Sequence, residues 1–182
     1  MSRESGIHFR EPTVEDGAAM WRLARDSGAL DLNSPYTYLM MSRYFADSSV
    51  VAEADGEVVG FIVGFRMPPR PASVFVWQVA SAASQQGRGL ATRMIGELLS
   101  RHAGSGGTHL EATVTPSNSP SQNLFRGIAR RLGVPCEETP EFERHHFPEG
   151  GHEEEVLFRI GPFTVDAVGQ AFAATATQEE RA

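Results

Sequence analysis

The stretch from Trp77 to Leu99 constrains this chain most, because it joins three different patterns without a break. An apolar run ends near Ala80, a short polar segment follows, and the glycine-flanked turn 86–91 (Gln-Gly-Arg-Gly-Leu-Ala) opens a run with helical periodicity. These patterns predict a buried strand, a turn and an amphipathic helix. Since such a turn points a row of backbone N–H groups beyond the strand end, it predicts a site for an anion.

The composition of the turn favours a pyrophosphate over a dinucleotide-binding unit. Small residues at 87, 89 and 91 let a bulky pyrophosphate approach the backbone, and Arg88 and Arg93 add positive charge. The third glycine of the dinucleotide pattern is missing. A second strand-to-helix unit offers Asn118 near its helix start.

Strands are predicted from apolar alternation and from turn signals. Asp55-Gly56 is a strong hairpin signal between two apolar runs, and the prolines at 68, 69 and 71 predict a loop after the second run. After His145 and His146, a final alternating run leads to Pro162, where the periodicity fades. We expect strands at 8–10, 49–53, 57–65, 74–80, 109–115 and 154–160.

Helices are predicted from their capping patterns. Thr13 with Asp16 resembles a capping box, and Pro35 after Ser34 stands at a first helical position. The run 119–122 (Ser-Pro-Ser-Gln) reads as another capping box. We expect helices at 13–27, 35–45, 90–104 and 119–132, the first and the last ending at Gly28 and Gly133. The order of elements predicts an α+β protein, a mixed sheet with helices on its faces.

Composition limits the partners. The 182 residues, 41% of them hydrophobic, fit one domain with a continuous core, which we place at 1–162, followed by a partly disordered tail at 163–182. A net charge of −7 without a Lys/Arg-rich block argues against nucleic acid and anionic membranes as partners. The single Cys136 suits a reducing compartment, and neither a signal peptide nor a spanning apolar run is evident, so we expect a cytoplasmic protein.

The turn 86–91 matches the Gln/Arg-x-x-Gly-x-Gly/Ala acyl-CoA signature of the Gcn5-related N-acetyltransferases, and the order of elements resembles that fold from end to end. Four blocks together resemble, more specifically, the L-2,4-diaminobutyrate N-acetyltransferase family of ectoine synthesis. They are 30–36 (Leu-Asp-Leu-Asn-Ser-Pro-Tyr), 75–80 (Phe-Val-Trp-Gln-Val-Ala), 113–118 (Thr-Val-Thr-Pro-Ser-Asn) and 151–155 (Gly-His-Glu-Glu-Glu). The resemblance, over residues 7–162, implies a mostly antiparallel, splayed central sheet with helices on both faces.

The resemblance implies acetyl transfer from acetyl-CoA, a co-substrate, to the 4-amino group of L-2,4-diaminobutyrate by direct attack in a ternary complex, without a metal. A backbone N–H near Val79 would face the acetyl oxygen, where negative charge develops. The residues implied in acetyl-CoA binding are Val79, Ala80, Gln86, Gly87, Arg88, Gly89, Leu90, Ala91, Thr92, Asn118 and Phe125.

Carboxylates are needed to hold the two ammonium groups of this substrate. Asp31, in a loop before a helix, and Glu155, at the start of the last strand, are the candidates, and Trp77 could form a wall of the site. Asn33 and Thr115, in the matching blocks, are further substrate-binding candidates. Two alternatives remain open: Asp31 only caps a turn, or Trp77 only fills the core. Strand alternation also requires that one residue of 153–155 points away.

The attacking amine must lose a proton, since a lysine-like ammonium titrates near ~10.4. We expect Glu155 or Asp31 to take it directly or through water, whereas His145, His146 and His152 read as surface residues. Many relatives place a tyrosine where this chain has Phe125. No general acid is therefore assigned, and water can protonate the thiolate.

Two other functions stay open at this point. One is acetylation of another small amine or of a protein N-terminus. The other is a non-catalytic acyl-CoA-binding module, for which the missing tyrosine is the only argument. Because members of this fold commonly dimerise, we also expect a homodimer, with the contact at 68–71 or at the last strands.

Overall fold

The computed structural model describes residues 6–28, 30–148 and 151–177. The strands in this part of the chain are β1 (His8–Arg10), β2 (Val50–Ala54), β3 (Glu57–Met67), β4 (Arg70–Ser81), β5 (His109–Val114), β6 (Cys136–Phe142) and β7 (Glu155–Ile160). The α-helices are α1 (Gly17–Ser27), α2 (Pro35–Tyr44), α3 (Leu90–Gly104), α4 (Ser119–Leu132) and α5 (Val165–Thr177). Among the described residues, no helix is both long enough and apolar enough to cross a membrane.

The strands form a seven-stranded sheet in the order β1-β2-β3-β4-β5-β7-β6. β2 pairs antiparallel with β1 and with β3, and β7 pairs antiparallel with β5 and with β6. β4 and β5 are parallel, with Ser73 opposite His109 and Phe75 opposite Glu111. The predicted α+β class, with a mixed and mostly antiparallel sheet, is therefore confirmed.

The chain divides into two compact units. Unit 1 comprises the described residues of Met1–Phe65 and Val76–Arg101, and unit 2 those of Arg66–Phe75 and His102–Ala182. The strand β4 therefore contributes residues to both units.

Unit 1 has a core in which α1, α2 and the strands bury their apolar faces. Tyr38 of α2 is fully buried and packs edge-to-face on Phe61 of β3, with ring centroids 5.8 Å apart. The predicted hairpin is confirmed: Asp55 and Gly56 both adopt the left-handed backbone that a two-residue hairpin turn requires, with φ of 52° and 80°. The capping box of Thr13 and Asp16 is also present, ahead of α1.

Unit 2 has its core between α4, β5 and β7. Phe125 of α4 is buried and packs on Phe158 of β7, with ring centroids 6.3 Å apart. Gly133 ends α4 at a φ of 67°, as predicted. The start of α4 differs by one residue, because Asn118 rather than Ser119 is the N-cap: its Oδ1 accepts a hydrogen bond from the Ser121 N–H at 3.1 Å.

The structure also differs from the predicted secondary structure at 68–71 and at 136–142. The loop at 68–71 is only a two-residue turn, since β4 begins at Arg70. β6 was missed because its sequence, Cys-Glu-Glu-Thr-Pro-Glu-Phe, is polar and mostly exposed, which removes the apolar alternation that a strand prediction needs. The expected tail contains α5, while residues 178–182 lie outside the described part.

Candidate active site

The turn before α3 has open space at its glycines. A short 3-10 helix (Ala83–Gln85) follows β4, and residues 86–89 connect it to α3. Gly87 and Gly89 have φ of 73° and 71°, and a Cβ added at either would meet no atom within 4 Å. Glycine is needed here for its backbone conformation, and the missing side chains leave the turn open to a bulky group.

Backbone donors at the start of α3 suit an anion. The first i to i−4 hydrogen bond at the start of α3 runs from the Arg93 N–H to the Gly89 carbonyl, at 3.1 Å. The N–H groups of Leu90, Ala91 and Thr92 precede this bond, as the first N–H groups of a helix do. Arg88 is exposed, whereas the Arg93 guanidinium lies 5.1 Å from the centroid of the Phe9 ring. Amides at a helix start are donors of the kind that bind anions.

The loop before α2 carries Asp31, whose side chain is exposed and whose backbone is fixed by hydrogen bonds. Gln78 Nε2 donates to the Asp31 carbonyl at 2.9 Å, and Asn33 Nδ2 approaches the same carbonyl at 3.4 Å. Trp21 Nε1 donates to the Asn33 carbonyl at 3.2 Å. The loop is therefore tied to α1 and β4.

Gln78 is in turn bonded to Tyr38, whose hydroxyl donates to Gln78 Oε1 at 2.9 Å. Burial raises the pKa of the Tyr38 hydroxyl, against the opposing effect of its hydrogen bonds with Asn33 and Gln78. Trp77, the preceding residue, is 43% exposed. Trp77 is therefore not a core residue.

In unit 2, the loop after β5 is tied to the segment before β7. The Glu153 carboxylate accepts hydrogen bonds from the Ser117 hydroxyl and from the Ser117 N–H, the latter at 3.3 Å. The Thr115 carbonyl accepts from the Asn118 N–H and from Gln122 Nε2, each at 3.1 Å. The Asn118 side chain, predicted to bind the cofactor, serves here as the helix cap.

Glu155 begins β7 and lies beside a histidine. His152 Nε2 is 3.7 Å from Glu155 Oε1, and His152 Nδ1 lies 2.7 Å from the Glu153 carbonyl. Because a carbonyl only accepts, Nδ1 carries a proton in this contact. The Phe147 ring stacks on the His152 ring at 4.3 Å. Glu155 is half-buried and Glu154 is exposed, so Glu154 is the residue that points away.

The remaining candidates fall into other environments. Phe125 is buried in the core of unit 2. His145 and His146 are exposed, with ring centroids 4.1 Å apart, as expected for surface residues. Within residues 6–28, 30–148 and 151–177, no group of three or more histidine, cysteine or acidic residues could hold a metal ion.

Sequence reasoning missed the Tyr38–Gln78 pair and the contact between His152 and Glu155. The signal for the first was available, because Gln78 is the one polar residue of the apolar run 74–80. Its partners stand 40 and 47 residues away in sequence, and no local pattern links them.

A profile of the acetyltransferase (GNAT) family matches residues 18–129. The L-2,4-diaminobutyric acid acetyltransferase of Marinococcus halophilus is 48% identical over 158 residues, covering 87% of this chain and 91% of that protein. The enzyme of the same name from Streptomyces coelicolor is 46% identical over 163 residues, covering 88% and 96%.

Solved structures are also similar. The diaminobutyrate acetyltransferase of Paenibacillus lautus, in complex with its substrate L-2,4-diaminobutyric acid and coenzyme A, has a TM-score of 0.83 and 44% identity, covering 87% of this chain and 96% of that one. The ribosomal-protein-S18-alanine N-acetyltransferase of Escherichia coli has a TM-score of 0.65 at 13% identity, covering 87% and 96%, and so shares the fold alone.

Proposed function

The chain belongs to the acetyltransferase (GNAT) family and, within it, to the L-2,4-diaminobutyric acid acetyltransferases, and on that premise we propose that it acetylates the 4-amino group of L-2,4-diaminobutyrate with acetyl-CoA. The product, N4-acetyl-L-2,4-diaminobutyrate, is an intermediate of ectoine biosynthesis. The observation that carries this proposal is the likeness, over most of both chains, to the P. lautus enzyme solved with that substrate and coenzyme A.

The reaction proceeds by direct attack in a ternary complex. The neutral 4-amino nitrogen forms a bond to the acetyl carbon, and the carbonyl oxygen gains negative charge in the tetrahedral intermediate. The C–S bond then breaks, coenzyme A leaves as a thiolate, and the nitrogen gives up its proton. The Val79 N–H is the proposed donor to the oxyanion, a contact worth about 10²–10³ in rate in acyl-transfer enzymes.

Acetyl-CoA binds along the end of β4 and at the turn before α3. The backbone of Val79 and Ala80 bonds the pantetheine arm, and the open glycines and the first amides of α3 receive the pyrophosphate. Residues Gln86, Gly87, Arg88, Gly89, Leu90, Ala91 and Thr92 form this part of the site. Asn118 and Phe125 are the other proposed contacts. Because the Asn118 side chain already caps α4, we propose that Asn118 acts through the α4 backbone, and Phe125 through its buried ring.

The substrate is held by carboxylates and by an aromatic wall. Asp31 binds an ammonium group, which the exposure of its side chain supports, and the exposed Trp77 forms the wall. Asn33 and Thr115 are proposed to bind the substrate through polar groups, although the Asn33 amide and the Thr115 carbonyl already make hydrogen bonds within their own loops.

Glu155 is the proposed general base, with Asp31 as the second candidate. Its half-buried carboxylate at the start of β7 supports this role, and His152 Nε2 lies 3.7 Å from Glu155 Oε1. No residue is assigned as the general acid, because Phe125 stands where many relatives have tyrosine. Water protonates the thiolate, which is a fair leaving group.

We also propose that the protein is a cytoplasmic homodimer, since the lone Cys136 suits a reducing compartment and members of the fold commonly dimerise. Light scattering coupled to size exclusion tests the dimer: a mass of twice 19.8 kDa supports it, and the monomer mass contradicts it.

Phe125 is also the observation behind the second candidate, a non-catalytic acyl-CoA-binding module. Release of thiol from acetyl-CoA separates the possibilities when L-2,4-diaminobutyrate is compared with lysine, ornithine, putrescine and an N-terminal peptide. We expect the highest kcat/KM with diaminobutyrate. Thiol release only with another amine would support a different acetyltransferase, and acetyl-CoA binding without thiol release would support the binding module.

A further inference from the structure

Gln78 buries an amide in the core of unit 1. Its side chain is on the same strand face as Val76 and Ala80, and the three residues are 5%, 3% and 5% exposed, respectively. Burying an amide among apolar groups costs free energy unless its donors and acceptor are paired. An apolar residue would serve the core better at this position, so the amide calls for another explanation.

The two ends of the Gln78 amide contact different parts of unit 1. Oε1 accepts from the buried Tyr38 hydroxyl, and Nε2 donates to the backbone carbonyl of Asp31, both at 2.9 Å. The carbonyl can only accept, so it requires Nε2 on its side, and this fixes the orientation of the amide. The pair Tyr38–Gln78 therefore links helix α2 and strand β4 to the loop that carries Asp31.

The Gln78 bond to the Asp31 carbonyl, at 2.9 Å, is shorter than two other hydrogen bonds of this loop. Asn33 Nδ2 approaches the Asp31 carbonyl at 3.4 Å, and Trp21 Nε1 reaches the Asn33 carbonyl at 3.2 Å. Fixing the carbonyl of Asp31 limits rotation about the backbone of that same residue. The Cα and Cβ of Asp31, from which its exposed carboxylate extends, are thereby held in place before any substrate arrives.

We propose that Gln78, held by Tyr38, is a positioning residue for substrate recognition: it fixes the backbone of Asp31 so that the carboxylate is preorganised for the ammonium group of L-2,4-diaminobutyrate. This rests on the proposed function, in which Asp31 binds the substrate. Gln78 itself does not contact the substrate. The alternative is that the pair only stabilises the core of unit 1.

The variant Gln78→Met keeps the length of the side chain and removes both hydrogen bonds. We expect KM for diaminobutyrate to rise about tenfold, a change equivalent to one hydrogen bond, while KM for acetyl-CoA stays within about twofold. A matched control is Ser42→Ala, which removes another buried polar contact of this core, from Ser42 Oγ to Met20 Sδ at 3.6 Å, without touching the loop. It should leave both KM values unchanged.

A double-mutant cycle with Asp31→Asn tests whether Gln78 acts through Asp31. In the Asp31→Asn background, where the carboxylate is absent, Gln78→Met should add less than about twofold to KM, because its effect has already been lost. A full tenfold increase in both backgrounds would contradict the proposal, as would an unchanged KM for diaminobutyrate in Gln78→Met.

The milder variant Tyr38→Phe applies the same test if Gln78→Met does not fold. It removes the hydroxyl that bonds Gln78 Oε1 and Asn33, both of which hold the loop, and we expect about a threefold rise in KM for diaminobutyrate with no change for acetyl-CoA. Equal increases in both KM values would indicate a general loss of core stability and overturn the proposal. A wild-type protein without diaminobutyrate-dependent turnover would overturn the proposed function itself, whereas wild-type turnover with normal variants would overturn this inference alone.

Discussion

Each of the two units has a polar side chain that is buried on a strand and forms a hydrogen-bonded cluster, Gln78 in unit 1 and Glu111 in unit 2. The hydrogen bonds of the two clusters lead to different parts of the chain. In unit 1 the neutral Gln78 bonds to Tyr38 and then to the exposed loop at Asp31. In unit 2 the carboxylate of Glu111 is fully buried and is held by side chains on strands alone. These are Arg70 at 2.6 and 3.0 Å, Ser73 at 2.8 Å and Arg159 at 3.3 Å.

Both clusters obey the rule that buried polar groups find partners, but their consequences differ. The Glu111 cluster ties β4, β5 and β7 together, so its loss should appear in stability. The Gln78 cluster positions a loop that we propose binds substrate, so its loss should appear in KM. The role of a buried polar side chain therefore depends on which part of the chain its hydrogen bonds hold.

The largest expected effect concerns a third carboxylate, Glu155, which is half-buried and begins β7. If it is the general base, Glu155→Gln should lower kcat by about 10²–10⁴ and leave the free energy of unfolding nearly unchanged. Steady-state rates and denaturant unfolding measure the two quantities. The neighbouring exposed residue supplies the control Glu154→Gln, and equal kinetics in both variants would remove Glu155 from the catalytic role.

Arg70→Met should separate stability from recognition. It removes two of the hydrogen bonds to the Glu111 carboxylate, which stays buried with Ser73 and Arg159 as partners, and the loss of hydrogen bonds to a charged group costs about 1.5–3 kcal/mol. Denaturant unfolding should show the decrease, and KM for diaminobutyrate at a temperature where the variant is folded should be that of the wild type. A tenfold change in KM without loss of stability would reverse the roles that we assign to the two clusters.

Gly89→Ala should affect the other substrate. Gly89 has a φ of 71° with open space around it, and alanine there is strained by about 1 kcal/mol and intrudes on the turn. We expect KM for acetyl-CoA to rise about tenfold and KM for diaminobutyrate to stay constant. The matched control is Gly28→Ala, which has a φ of 62° and equally open space at the end of α1. Similar kinetics in the two variants would show strain rather than a lost contact.

The smallest expected effect is in acid. Burial alone would raise the pKa of Glu111, but its hydrogen bonds with Arg70 and Ser73, the charge of Arg70 and the contact with Arg159 lower it below its usual value. Glu111 therefore contributes stability that is complete above the unfolded pKa near ~4.3 and is lost as pH falls through the lower folded value. Unfolding titrations below about pH 5 should show a shallower slope in Arg70→Met and the wild-type slope in Gln78→Met, which has no titrating group here.

Most of the secondary structure could be predicted because its turns and helix ends are set by residues that are close together in the sequence. The Asp55-Gly56 turn, the capping box at Thr13 and the C-cap at Gly133 each depend on residues within a few positions. The α+β class and the family resemblance were confirmed as well. β6 escaped prediction because an exposed, polar strand is defined by its pairing with β7 rather than by its own alternation.

The site was less predictable for a related reason. The glycines of the turn 86–91 could be predicted because a backbone with positive φ favours glycine in the sequence. The bonds of Gln78 with Tyr38 and with Asp31 join residues 40 and 47 positions apart, and only the folded chain brings them together. The roles of Asp31, Glu155, Trp77 and Val79 in catalysis stay predictions.

Identification of the acetylated nitrogen tests the proposed reaction most directly. The wild-type protein would be incubated with L-2,4-diaminobutyrate and acetyl-CoA carrying ¹³C in the acetyl carbonyl, and the product examined by NMR for coupling from that carbon to the protons beside each nitrogen. We predict one acetyl group on the 4-amino nitrogen for every coenzyme A released. Release of coenzyme A without this amide, or an acetyl group on the 2-amino nitrogen, would contradict it.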